Sequence, residues 1–69
     1  MRQIVVRRAE SAWALQTGAE TRYFRSGAQA ERSARDLAAG MAARGVPAEV
    51  AVFDLSGRPV GRVTYPAAA

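Results

Sequence analysis

Ser26-Gly-Ala-Gln-Ala-Glu-Arg-Ser-Ala-Arg-Asp-Leu-Ala-Ala-Gly-Met-Ala-Ala-Arg-Gly45 is the stretch on which the fold turns. Ser26 is a good N-cap, and Gln29 three residues on gives the Ser-x-x-Gln pattern of a capping box. Ala30, Ala34, Leu37, Ala38 and Met41 then recur at i, i+4, i+7, i+8 and i+11, which is one apolar face of a helix running to about Arg44. Glu31 with Arg35, and Arg32 with Asp36, stand at i, i+4 on the outer side. Gly45 falls where a left-handed C-terminal residue belongs. Gly40, inside the helix, costs about 1 kcal/mol against alanine and suggests either a close approach to a sheet or an early fraying point. A face made chiefly of alanine brings the helix close to whatever it covers, so the bulky core groups must come from strands.

The flanks supply those strands. Upstream, Ile4 and Val6 alternate with Gln3, Val5 and Arg7, and Trp13 and Leu15 alternate with Ala14 and Gln16. Turn residues at 9–11 join the two runs into a hairpin. A second turn at 18–20 leads to a short third strand over 21–25. Downstream, Glu49 to Phe53 is apolar on both faces and opens after Pro47. Asp54-Leu55-Ser56-Gly57 reads as a type I turn closed by a left-handed glycine. Residues 58–65 form the last strand, which Pro59 places at an edge because proline cannot donate to a ladder. The expected fold class is α+β, a single helix packed on a small antiparallel sheet in the order β-β-(β)-α-β-β. It forms one domain over residues 1–66, with a frayed tail at 67–69. Ile4, Val6, Trp13, Leu15, Val50 and Val52 are its expected core.

The pattern resembles a family of small uncharacterised bacterial proteins known as domain of unknown function 2188. The resemblance lies in Trp13-Ala14-Leu15, in Phe24 through Ala39 with its aromatic, cap and Ala/Arg-rich helix, and in Glu49 to Asp54 followed by Gly57-Arg58 and Thr64-Tyr65. Ser56-Gly57 stands where the family usually has Asp-Gly, and Thr64-Tyr65-Pro66 where it has Ser-Tyr-Gly. The resemblance implies the fold and carries no catalytic residues.

Composition narrows the function classes. The 69 residues contain no cysteine and no histidine, so disulfides, thiolate ligands and a histidine base are all lacking. The six carboxylates, Glu10, Glu20, Glu31, Asp36, Glu49 and Asp54, are scattered along the chain. Nucleophilic catalysis by a triad lacks its usual base, and paired-acid chemistry needs two carboxylates converging across a cleft. No phosphate-cradling glycine loop is present, since Gly57-Arg58-Pro59-Val60-Gly61 has neither the spacing nor the following helix. A non-enzyme without cofactor or metal is therefore expected. No stretch suits a membrane span, and residues 1–8 lack a signal peptide's apolar run, so the expected location is cytoplasmic.

Two surfaces remain as candidates for function. One helix covers only one face of a sheet, leaving Val5, Ala12, Ala14, Ala51, Phe53 and Val63 to a second, apolar face that self-association into a homodimer would bury. The leading expectation is thus a non-catalytic bacterial interaction or accessory module that self-associates through Val5, Ala14, Ala51, Phe53 and Val63. The alternative comes from charge. The basic residues are ten arginines and the net charge is +4, a composition that also fits a GC-rich bacterial genome. Arg7, Arg8, Arg22, Arg25, Arg58 and Arg62, on a sheet rim with aromatic neighbours, would contact nucleic acid, either by phosphate neutralisation or as a sheet entering the major groove. Trp13 is read as core, with base stacking as its other use.

Overall fold

A computed structural model of the protein describes residues 1–68. Its elements run β1 (Arg2–Arg8), β2 (Trp13–Thr17), β3 (Glu20–Phe24), α1 (Gly27–Ala43), β4 (Ala48–Phe53) and β5 (Pro59–Tyr65). The five strands form one sheet in the order β3-β2-β1-β4-β5, with α1 against one side. The α+β class and the element order follow the sequence expectation, and the third strand is a full member of the sheet.

The sheet is mixed rather than wholly antiparallel, because β1 and β4 pair in parallel at its centre. The reason is a matter of direction. β1, β2 and β3 run up, down and up, and the 17-residue α1 returns down the length of the sheet. At 1.5 Å per residue it spans about 25 Å, so β4 starts at the same end as β1. A hydrogen bond from the Arg2 N–H to the Pro47 carbonyl, 2.9 Å, ties those two starts together.

Strand alternation puts Ile4 and Val6 of β1, Leu15 of β2, and Ala48 and Val50 of β4 under the helix. They meet Ala30, Ala34 and Ala38, which are fully buried, while Trp13, Phe24, Leu37, Met41, Val52 and Tyr65 close the rim of this core. Methyl groups at every fourth position let α1 approach the sheet closely, so the sheet carries most of the core's volume.

Both helix ends are built as their residues suggest. The Ser26 Oγ accepts from the Gln29 N–H at 3.2 Å, although among the described residues the Gln29 side chain makes no return bond. At the other end Gly45 takes φ 87°. Its N–H donates to the Ala42 carbonyl and that of Val46 to the Met41 carbonyl, which is a Schellman cap. Gly40 does not serve a close approach to the sheet. A Cβ there would meet only Arg44 Nη1, at 3.6 Å. Gly27 has that role instead, since its Cβ would sit 3.0 Å from two atoms of the Trp13 ring. The tail is tied down as far as Ala68, whose N–H donates to the Ala42 carbonyl at 2.9 Å. Ala69 lies outside the described residues. Among the described residues, no helix is long and apolar enough to cross a membrane.

Candidate functional site

The face of the sheet turned away from α1 is read from the registers, because residues directly opposite each other on paired strands share a face. One row runs Tyr23–Ala14–Arg7–Phe53 across β3, β2, β1 and β4. The next runs Thr21–Gln16–Val5–Ala51–Arg62 across all five strands, and Gln3, Glu49 and Thr64 form a third. Four of the five expected interface residues, Val5, Ala14, Ala51 and Phe53, therefore do lie on the open face.

Val63 does not. It pairs with Val50 and belongs to the helix side, where it remains 43% exposed because α1 barely reaches β5. The strand's alternation is anchored at Tyr65, which packs on the core opposite Ala48, and a register shift between Val52 and Phe53 absorbs the extra residue at the turn. Ala12 lies in the β1–β2 turn, where its carbonyl accepts from the Ala9 N–H.

The open face is also less apolar than a residue count suggests. Ala14 is only 6% exposed and Ala51 only 1%. Their register neighbours, Arg7 and Tyr23 beside one, Val5 and Arg62 beside the other, leave little of either methyl group to solvent. The accessible apolar surface reduces to half-buried Val5 and Phe53, together with Tyr23, which is 70% exposed. Tyr23 and Phe24 are adjacent in β3. Alternation separates them, Phe24 going to the core and Tyr23 to the open face. That parity was available from Phe24 alone once β3 was taken as a strand of the sheet.

The six arginines do not form one patch. Arg7 and Arg62 share the open face. Arg8 falls on the helix side opposite Trp13, with its guanidinium carbon 5.8 Å from the ring centroid. Arg22 is also on the helix side, opposite Leu15, and its Nε donates to Glu20 Oε1 at 3.0 Å. Arg25 lies between β3 and the helix cap, and Arg58 in the β4–β5 turn. Arg7, Arg8, Arg25 and Arg58 nevertheless gather at one end of the sheet, where β1, β3 and β4 finish and α1 begins. Trp13 is held between Gly27 and the Arg8 guanidinium and packs on the core, which assigns it the core role.

Charge on the open face is uneven. Glu49 has its carboxylate between the Gln3 amide, 3.2 Å away, and Arg62 Nε at 3.7 Å. Arg7 enters no ion pair among the described residues. It stands beside Phe53 at the edge of a shallow hollow lined by the 54–57 turn. In that turn Asp54 Oδ1 accepts from the Ser56 hydroxyl at 2.7 Å and from the Ser56 and Arg58 N–H groups, each at 2.9 Å. Gly57 closes the loop at φ 85°. The hydroxyl bond from Ser56, followed by the backbone bond from Arg58, holds the Asp54 carboxyl below its ordinary value.

A depressed folded-state value means that the ionised group stabilises the turn at neutral pH. That contribution is lost as pH falls through the folded value. Asp54→Asn is expected to lower the melting temperature at neutral pH, with the gap from the parent closing in strong acid. A gap of constant size down to about pH 2 would show that the carboxylate's charge plays no part.

Among the described residues, no group of three acidic, histidine or cysteine side chains is placed to hold a metal ion. No family model matches the chain, and no curated protein or solved structure shows significant similarity to it.

Proposed function

We propose that the protein is a non-catalytic binding module whose working surface is the open sheet face, and that its partner is nucleic acid. The observation that carries this reading is Arg7, an exposed guanidinium without an acidic partner near the end of the central strand, in the same row as Tyr23 and Phe53 on the open face. Arg62 adds a second guanidinium on that face, 3.7 Å from the Glu49 carboxylate, and the chain's net charge of +4 adds a long-range positive field.

Self-association through the same face is the second reading, and half-buried Val5 and Phe53 on neighbouring strands favour it. Arg7 weighs against it. A two-fold, face-to-face dimer would bury two copies of an unpaired arginine, and a buried charge left without a partner costs several kcal/mol, on the order of 3–5. An anionic partner turns the same group into a contact.

Binding to a fluorescently labelled nucleic acid, followed by anisotropy over a salt series, tests the reading. Affinity is expected to fall steeply with salt, and Arg7→Gln to reduce the slope of log K against log salt by about 0.7–0.9, the value for one phosphate contact. Absence of binding at about 50 mM salt, or a slope that Arg7→Gln leaves unchanged, would refute it. Concentration-dependent dimerisation that Phe53→Asp abolishes would favour the second reading.

A further inference from the structure

We infer that the open face takes single strands rather than duplexes, with unpaired bases stacked on Tyr23 and Phe53 and the backbone phosphates held by Arg7 and Arg62. This rests on the nucleic-acid reading of that face and specifies its ligand.

Shape comes first. Five strands at ~4.8 Å spacing make a face about 19 Å wide between its outer strands, whereas the major groove of B-DNA is about 12 Å wide. The sheet is too broad to lie flat in the groove, so the β-ribbon mode suggested by the strand content alone does not suit this face. The one helix lies on the opposite side, and its outward surface carries acidic Glu31 and Asp36 among its arginines.

The second argument is the arrangement within the row. Tyr23 and Phe53 are three strands apart, about 14 Å at ~4.8 Å per strand. Ala14 and Arg7 lie between them. Ala14, 6% exposed between Tyr23 and Arg7, is the smallest side chain of the row and adds no bulk between the two aromatic side chains. A tyrosine 70% exposed on a sheet surface offers its ring to a flat apolar partner; every nucleobase has such a face, which stacking on neighbouring pairs covers in a duplex and a single strand can leave free. Arg7, next to Phe53 in the row, and Arg62, on the next row, are placed to neutralise phosphates of a strand crossing the sheet. Gln16 and Thr21 on that second row supply hydrogen-bonding groups at the same level.

The test compares a thymidine oligonucleotide about a dozen bases long with the same strand annealed to its complement, titrated into the intact protein at low salt. The single strand is expected to bind at least tenfold more tightly. Tyr23→Ala, at an exposed site that does not support the core, is expected to weaken single-strand binding at least fivefold, since one base–aromatic stack is worth that much or more. The same change, at a side chain 70% exposed, should leave the thermal melt unaltered. Phe53→Leu keeps the apolar volume while removing the ring and should act in the same direction as Tyr23→Ala. Equal affinity for single strand and duplex, or a Tyr23→Ala protein that binds like the parent, overturns the single-strand inference while leaving the nucleic-acid reading standing. Failure of both nucleic acids to bind overturns both.

Discussion

Ala34→Leu is expected to destabilise the domain by about 1–3 kcal/mol, and by more if the helix must move off the sheet. Ala34 is fully buried at the middle of the helix face that packs on β1, β2 and β4. Leucine adds three carbons where side chains from both layers already meet, so either α1 is displaced or strand side chains leave their preferred rotamers. A loosely packed helix would behave in the opposite way, because the extra apolar volume would fill space and raise stability. Urea denaturation separates the two. A lowered midpoint supports the close-packed alanine face, and a raised midpoint contradicts it.

Ile4→Ala is the second large effect. Ile4 is fully buried on the central strand, opposite Val50 in β4, and is among the three largest fully buried side chains. Truncating a buried isoleucine costs about 2–5 kcal/mol in lost burial and cavity formation. A domain of this size has a total stability of only about 3–10 kcal/mol. The variant is therefore expected to be substantially unfolded at physiological temperature. Val5→Ala, the next residue on the same strand but on the open face, is expected to cost much less. Circular dichroism melts of the two variants give the comparison, and equal losses would mean that the face assignment of β1 is wrong.

The contrast between these neighbours shows what the sequence made legible. Period-two alternation in Ile4–Val6 and Trp13–Leu15, and the Ser26 and Gly45 caps around an alanine stripe, are local signals backed by local physics. They located the elements and the core with little error. The parallel pairing of β1 with β4 was not legible, since no residue in either strand encodes its partner's direction. That direction follows from three strands and a helix having to return to one end of the sheet. Val63 falls on the helix side because its alternation runs unbroken from Tyr65, whereas a count from the turn crosses a register shift that only the paired strands reveal. Gly27 showed nothing in the sequence to mark it as the contact with Trp13, whereas Gly40 drew notice for breaking a helix pattern.

The candidate site was legible in part. Arg7, Arg62, Val5 and Phe53 could be named, but whether six arginines converge depends on strand order. That order divided them between the open face, the helix side and one end of the sheet. Tyr23 became visible as a site residue only when β3 joined the sheet and its alternation turned that ring outward, away from Phe24.

The most direct measurement for the open face as the binding surface is amide-shift mapping by NMR during titration with a short single-stranded oligonucleotide. Perturbations are expected at Val5, Arg7, Ala14, Tyr23, Phe53 and Arg62, with the outward side of α1 around Glu31 and Arg35 unchanged. Perturbations confined to α1, with the open face silent, would contradict the account.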